Sequence, residues 1–322
     1  MNLRKMYLKS AILFLLIALV SCSSDDTNMG NWIERSSFDG YTRGNAAAFV
    51  INDKGYVVGG YDDDIYMFDL WTYDKDGDYW VQLADFPGVP RTAGVAFSLN
   101  GKGYYGTGYD GDDERKDFWS YDPATNTWAQ KADFGGTERT GAIGFAVSGK
   151  GYIGTGYDGS ELKDFWQYND MTNEWTQLFG YGGNKRRDGA VFIIGDKAYV
   201  GTGLQNGAYQ KDFYEFDGNS QIWKRLKDLD DDGEDYKILL ANGVGFSLNG
   251  LGYITAPNND HWEYNPLTDK WDDRPDFEGV ARQDAVAFTF SDKAFVLMGK
   301  SGSYYFDDNW EYRPDLESDL DD

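Results

Sequence analysis

Residues 91–134 read RTAGVAFSLNGKGYYGTGYDGDDERKDFWSYDPATNTWAQKADF. Arg91 opens an alternating apolar run over 91–99, Gly101-Lys102-Gly103 turns it back, and the next run, 104–108, ends in Gly-Thr-Gly. After a polar loop, Asp117-Phe118-Trp119-Ser120-Tyr121 forms a third run, Asp122-Pro123 a second tight turn, and Trp128 starts a fourth run that closes on Phe134. Period-two alternation punctuated by Gly and Pro predicts four short antiparallel strands in one meander.

The same grammar recurs along the chain. Arg43 stands six residues ahead of Phe49, as Arg91 does of Phe97, Arg139 of Phe145, Arg186 of Phe192 and Arg282 of Phe288, and in one further copy Leu240 precedes Phe246. The copies advance by 48, 48, 47, 54 and 42 residues, the spacing of four-stranded propeller blades rather than of shorter solenoid repeats. The composition agrees, with 40 Gly, 24 Tyr, 20 Phe and 11 Trp against 7 Pro in 322 residues, a mix for short strands and tight turns.

An Arg opening the first strand, a glycine pair ending the second, then Tyr, a turn and Trp make residues 32–314 resemble the kelch repeat. The resemblance implies an all-β, six-bladed kelch-type β-propeller with four antiparallel strands per blade. The chain departs from it where the glycine pair is written Gly-Thr-Gly at 106–108, 154–156 and 201–203, Thr255-Ala256 in the fifth unit and Met298-Gly299 in the sixth. The last unit ends on a third strand, Asp308 to Pro314, whereas Trp32 to Phe38 repeats the Trp-to-Phe spacing of Trp80 with Phe86 and Trp128 with Phe134. The N-terminal strand is therefore expected to complete the sixth blade and remove its free edge.

The flanks read differently. Arg4, Lys5 and Lys9 precede the apolar run 11–20, which is too short to span a membrane. Leu19-Val20-Ser21-Cys22 resembles a bacterial lipobox, which implies a signal peptide over 1–21, lipidation of Cys22 and a tether over 22–31. Ser23-Ser24-Asp25-Asp26 resembles the acidic export signal of Bacteroidetes surface lipoproteins. An outer-membrane lipoprotein, held by its N-terminal lipid alone, is the expectation. Cleavage removes three of the 30 basic residues and none of the 54 acidic ones, so the mature chain repels nucleic acid and anionic lipid surfaces. Residues 315–322, with five acids, read as a disordered acidic tail.

In a four-stranded meander the loop between strands two and three shares a face with the connection to the next blade. That face carries the long loops 61–64, 109–116, 157–163 and 204–211 and the insertion 227–237, and loops concentrate binding groups. The repeated Arg could form an anion ring, but a residue present in nearly every blade answers a need that every blade has, such as bonding a loop carbonyl. Two positions further on the blades differ: Asn45, Ala93, Gly141, Asp188, Asn242 and Asp284. Eukaryotic kelch proteins hold ligands in this neighbourhood, and the resemblance implies a pocket of Asn45, Arg187, Asp188, Asn242, Gln283 and Asp284. Tyr61, Tyr109 and Tyr157 follow the glycine turns and are placed either to stack on sugars or to pack between blades.

The chain has one His and one Cys, so the copper site of galactose oxidase, a kelch-like propeller with two His ligands and a Tyr-Cys crosslink, lacks its residues here. His261 fills the slot of Phe118, Phe165 and Phe213 and reads as a packed strand residue. Asp228, Asp230 and Asp232 begin like a calcium loop, but Leu239 stands where the bidentate Glu belongs, and a solvated acidic loop is the competing reading. Three functions remain open: a monomeric, non-catalytic propeller holding a glycan or an envelope protein; a carbohydrate isomerase, since bacterial sialic acid mutarotases resemble this plan and need no metal; and a calcium-stabilised adhesion or scaffold module.

Overall fold

The computed structural model describes residues 29–230 and 236–318; the lipobox with Cys22 and residues 231–235, Asp232 among them, lie outside these. Six four-stranded antiparallel sheets follow one another in chain order and close into a ring. The protein is a six-bladed β-propeller. Blade 2, for instance, takes Val95–Leu99, Lys102–Gly106, Phe118–Asp122 and Thr127–Gln130 from axis to rim. Blade 6 takes Val286–Thr289, Ala294–Leu297, Asn309–Glu317 and, as its outermost strand, Met29–Arg35, as the unpaired third strand at the chain's end required.

The closing strands are longer than the repeat predicts. Met29 pairs with Glu317 and Asn31 with Arg313 across a register shift, so the propeller spans 29–317 rather than 32–314. The ladder's hydrogen bonds, with an Arg313–Asp315 ion pair at 3.1 Å, hold three residues assigned to the tail and three assigned to the tether.

Packing between blades explains the repeated residues. In each innermost strand alternate side chains are buried, as Ala47, Phe49 and Ile51 are, while Ala48 and Val50 face the axis. The inward Phe lies over a glycine of the following blade: a Cβ on Gly103 would sit 2.3 Å from the Phe49 ring, and one on Gly151 would sit 2.5 Å from Phe97. Glycine is needed there because another side chain already fills the space. At the rim the outer-strand Trp of five blades meets the Phe or Tyr that ends the preceding unit, as Trp80 does Phe38 at 4.9 Å and Trp128 does Phe86 at 5.3 Å, whereas Trp271 of blade 5 meets Phe213 at 5.3 Å. Trp32 with Phe277, also at 4.9 Å, closes the series. Such edge-to-face pairs stabilise by about 0.5–1.5 kcal/mol each beyond area burial.

The Arg series belongs to this packing. Arg43, Arg91, Arg139 and Arg186 are fully buried. Arg139 donates to the Thr155 carbonyl at 2.9 Å and forks onto Asp164 at 2.7 and 2.8 Å, with its guanidinium 4.7 Å from the Phe134 ring. Arg43 with Asp69, Arg91 with Asp117 and Arg282 with Asp308 repeat the arrangement, and Arg186 reaches Asp212 through one carboxylate oxygen and the backbone carbonyl. The accepting carbonyl belongs to a left-handed residue, Gly59, Thr107, Thr155, Thr202 or Met298, with φ between 58° and 68°. Thr in the kelch glycine position therefore accepts a strained backbone, and the buried guanidinium stabilises it.

Candidate functional site

Immediately above the inner strands the chain makes a collar. Asn45, Ala93, Gly141, Asp188, Asn242 and Asp284 all have φ between 50° and 62°. The Ala93 amide donates to the Asn45 carbonyl (2.9 Å), Gly141 to Ala93 (3.2 Å), Asp188 to Gly141 (2.9 Å), Asn242 to Asp188 (3.2 Å), Asp284 to Asn242 (3.2 Å) and Asn45 back to Asp284 (2.9 Å). Six blades are thus joined by a closed circle of six backbone hydrogen bonds. Beneath it lies a central cavity of about 580 Å³ lined by small side chains such as Ala48, Ala96, Ala142 and Ala287.

The collar explains its own residue types. Left-handed backbone favours Gly, Asn and Asp, and five of the six positions comply. At Gly141 a Cβ would lie 2.3 Å from Asp188 Oδ1, so the Asp188 carboxylate leans over the one position where only hydrogen leaves it room. Blades 1 to 3 therefore offer Asn45, Ala93 and Gly141, and blades 4 to 6 offer Asp188, Asn242 and Asp284.

The loops between second and third strands build a wall around the collar, five of them tied to the neighbouring connection by a backbone bridge: Tyr61 with Gly44, Tyr109 with Thr92, Tyr157 with Thr140, Leu204 with Arg187 and Lys300 with Gln283. The tyrosines expected at this face therefore stand on blades 1, 2 and 3. Tyr61 stacks on Tyr66 (6.1 Å) and meets Tyr305 edge-on (5.5 Å), and Tyr66 in turn meets Tyr109 (6.3 Å). The sequence left open whether these rings stack on a ligand or pack between blades; all three are half-buried, which suits both.

At each end of the aromatic half a cation joins a tyrosine to an aspartate. Lys300 Nζ bonds the Tyr61 hydroxyl, lies 4.7 Å from that ring's centre and 3.5 Å from Asp284 Oδ2. Arg187 lies 5.4 Å from the Tyr157 ring, 3.2 Å from Asp188 Oδ2 and 3.7 Å from Glu161 Oε1. Burial pushes the Asp188 carboxyl up to about 6; Arg187 opposes the rise, while Asp284 and Glu161 add to it. Asp284, 3% exposed at its side chain, is also raised by burial, against Lys300 and hydrogen bonds from Gln283 and Asn45. All six residues of the sequence-derived pocket, Asn45, Arg187, Asp188, Asn242, Gln283 and Asp284, thus fall on the collar or one residue from it. Lys300, Glu161, Tyr66 and Tyr305 were not picked out, although Lys300 fills the slot of Tyr61 after the sixth glycine turn, a visible signal.

Geometry bears on two other expectations, on the calcium loop only in part because Asp232 lies outside the described residues. The Asp228 carboxylate is turned onto Arg225 (2.7 Å) and Lys211 (3.6 Å), Asp230 makes a backbone bridge to Lys237, and Leu229 between them is fully buried. The described part of the insertion is a salt-bridged corner, and among the described residues no group of three or more His, Cys, Asp or Glu is placed to hold a metal. His261 is a packed residue, as its slot implied: it stacks on Tyr253 (5.5 Å), meets Tyr312 (4.6 Å) and Trp32 (5.1 Å), and shares a 3.0 Å hydrogen bond between Nδ1 and Thr255 Oγ1.

Comparison with known proteins places this geometry. Residues 42–87 match the Kelch motif. No curated protein matches the chain. A solved structure of YjhT superposes with a TM-score of 0.70 at 17% identity, covering 84% of this chain and 95% of that one, a likeness that bears on the fold. The chain is a six-bladed, all-β propeller that carries a Kelch motif in its first blade.

Proposed function

We propose that the propeller is a non-catalytic binding module that takes a glycan in the mouth above the collar, and that Cys22 tethers it to the bacterial outer membrane. The fold supports a binding or scaffold role, and one observation carries the choice of ligand: the mouth has two unlike halves. Tyr61, Tyr109 and Tyr157 stand on blades 1 to 3, and Asp188, Asn242 and Asp284 on blades 4 to 6. A pyranose ring has an apolar face that packs on tyrosine and hydroxyls that donate to carboxylates and exchange bonds with amides. Keeping two carboxylates buried with raised pKa costs stability, a cost that a bare scaffold has no use for.

Glycan-array screening of the soluble propeller followed by calorimetry tests this. Tyr61→Ala and Asp284→Asn should each weaken binding by tenfold or more while the melting transition stays cooperative; wild-type affinity in both sinks the proposal. Cys22→Ala should release a folded propeller from membranes, and continued retention counts against the anchor.

A second reading, sugar isomerisation, is favoured by Asp188 alone. A carboxyl pushed up to about 6 exchanges protons readily near neutral pH, and Asp284 lies two collar positions away. Proton NMR of anomer exchange decides it: acceleration abolished in Asp188→Asn supports catalysis, and an unchanged exchange rate leaves binding alone.

A further inference from the structure

We infer that the mouth selects an amine-bearing sugar over neutral or acidic ones, an inference that rests on the glycan reading above. Three carboxylates, Asp188, Asp284 and Glu161, share two cations, Arg187 and Lys300. One negative charge is left over on a floor where Asp284 is 6% and Glu161 9% exposed, so solvent screens it poorly. A sugar carboxylate would have to approach this excess and displace an existing ion pair, whereas an ammonium neutralises it.

The mouth also shows twice how it holds a cation. Lys300 lies between the Tyr61 ring at 4.7 Å and Asp284 at 3.5 Å, and Arg187 between the Tyr157 ring at 5.4 Å and Asp188 at 3.2 Å. Tyr109 is the middle member of the tyrosine series, and among the described residues no cation lies over its ring. An incoming ammonium on a sugar would meet the excess negative charge of this carboxylate set, with the Tyr109 ring in the same mouth carrying no cation of the protein. Asn45, Asn242 and Gln283 favour a sugar over a basic peptide. Their amides supply donors and acceptors that hydroxyls satisfy and that a Lys or Arg side chain would leave unmatched.

Calorimetry at physiological salt, where the general acidity of the surface is largely screened, tests the inference. The ligands are a β-1,4-linked glucosamine trimer, its N-acetylated counterpart, N-acetylneuraminic acid and trilysine. At pH 7 the amine trimer should bind at least tenfold more tightly than the N-acetylated one. That preference should shrink at pH 5, where Asp188, facing Arg187, Asp284 and Glu161, is protonated. The preference should shrink in Asp188→Asn, whose cooperative melting reports that the fold is intact. Equal affinity for the two trimers, or tighter binding of N-acetylneuraminic acid, overturns the inference and leaves the glycan reading standing. Trilysine binding more tightly than the amine trimer overturns the choice of a sugar. Failure of these and of every arrayed glycan overturns both readings.

Discussion

Two layers of carboxylate–cation pairs lie two residues apart in the chain and behave oppositely. In the junction layer each guanidinium is buried and bonds its own aspartate; burial pushes Asp69, Asp117 and Asp164 up, but the Arg hydrogen bonds and charge outweigh it and hold them below the usual range. In the collar layer three carboxylates share two cations, and Asp188 and Asp284 are held above it. The first arrangement stabilises the ionised state of Asp69, Asp117 and Asp164, and an Arg–Asp pair stands at this place in five blades. The second opposes ionisation and occurs once. Repetition with matched charge marks structure, and variation with unmatched charge marks the place where a ligand would complete the set.

The largest effect should come from breaking the first layer. Arg139→Leu leaves Asp164 without its guanidinium and with the Trp166 indole still donating to it, and stranding one member of a buried pair costs about 3–5 kcal/mol. The double variant Arg139→Leu/Asp164→Leu should recover much of this. Chemical denaturation measures both, and a single variant as stable as the wild type would deny the junction its structural role.

Blade 5 lacks the Arg by nature but keeps the acid, since Asp260 stands ahead of its third strand where Asp164 stands in blade 3. Leu240 replaces the Arg, Thr255-Ala256 replaces the glycine turn, and neither of these two has positive φ. The longer connection from blade 4 compensates by packing Leu229, Tyr236, Ile238 and Leu240 into one apolar cluster with Phe213 and Trp271. Leu229→Ala should therefore cost about 2–4 kcal/mol, although its neighbours in sequence are acidic. A loss under about 0.5 kcal/mol would mean that blade 5 is held some other way.

The blades, their closure and the collar positions were legible because they repeat or conspicuously fail to repeat. The junction aspartates repeat too, ahead of each third strand, yet their pairing was missed: 25 or 26 residues separate them from their Arg, and no local spacing rule spans that. Glu161 has a counterpart in Glu114, each bridging the tyrosine at the head of its loop, but its reach to Arg187 follows from loop geometry that no spacing shows. The apolar role of the insertion was hidden by its composition, since acids dominate the residues around Leu229.

In the collar layer, Asp188→Asn removes a carboxyl whose folded pKa of about 6 exceeds its unfolded value. A raised carboxyl favours the protonated fold, so its ionisation costs stability that is lost as pH rises from about 4 to 6 and stays lost above. At pH 7 the asparagine variant should be more stable by roughly 1–3 kcal/mol, given about 1.4 kcal/mol per pKa unit less the Arg187 ion pair. The advantage should vanish near pH 4. A destabilised variant at pH 7 would place Asp188 with the junction aspartates.

His261 sits at the closing seam, where sister blades carry Phe, and its effect is the smallest at neutral pH. Burial pushes its pKa down to about 3, with Arg274 adding to the fall, so the fold keeps it neutral while the unfolded chain takes up a proton below about 6.5. Stability from this group is therefore complete above pH 6.5 and declines as pH falls toward 3, reaching a loss of about 2 kcal/mol at pH 5. His261→Phe should change stability by under about 1.5 kcal/mol at pH 7 and remove that part of the acid sensitivity. Melting curves at both pH values separate the two effects. Identical pH dependence in wild type and variant would mean that the His261 ring is reached by water, and that the N-terminal strand seals the seam less tightly than its contacts with Trp32 and Tyr312 imply.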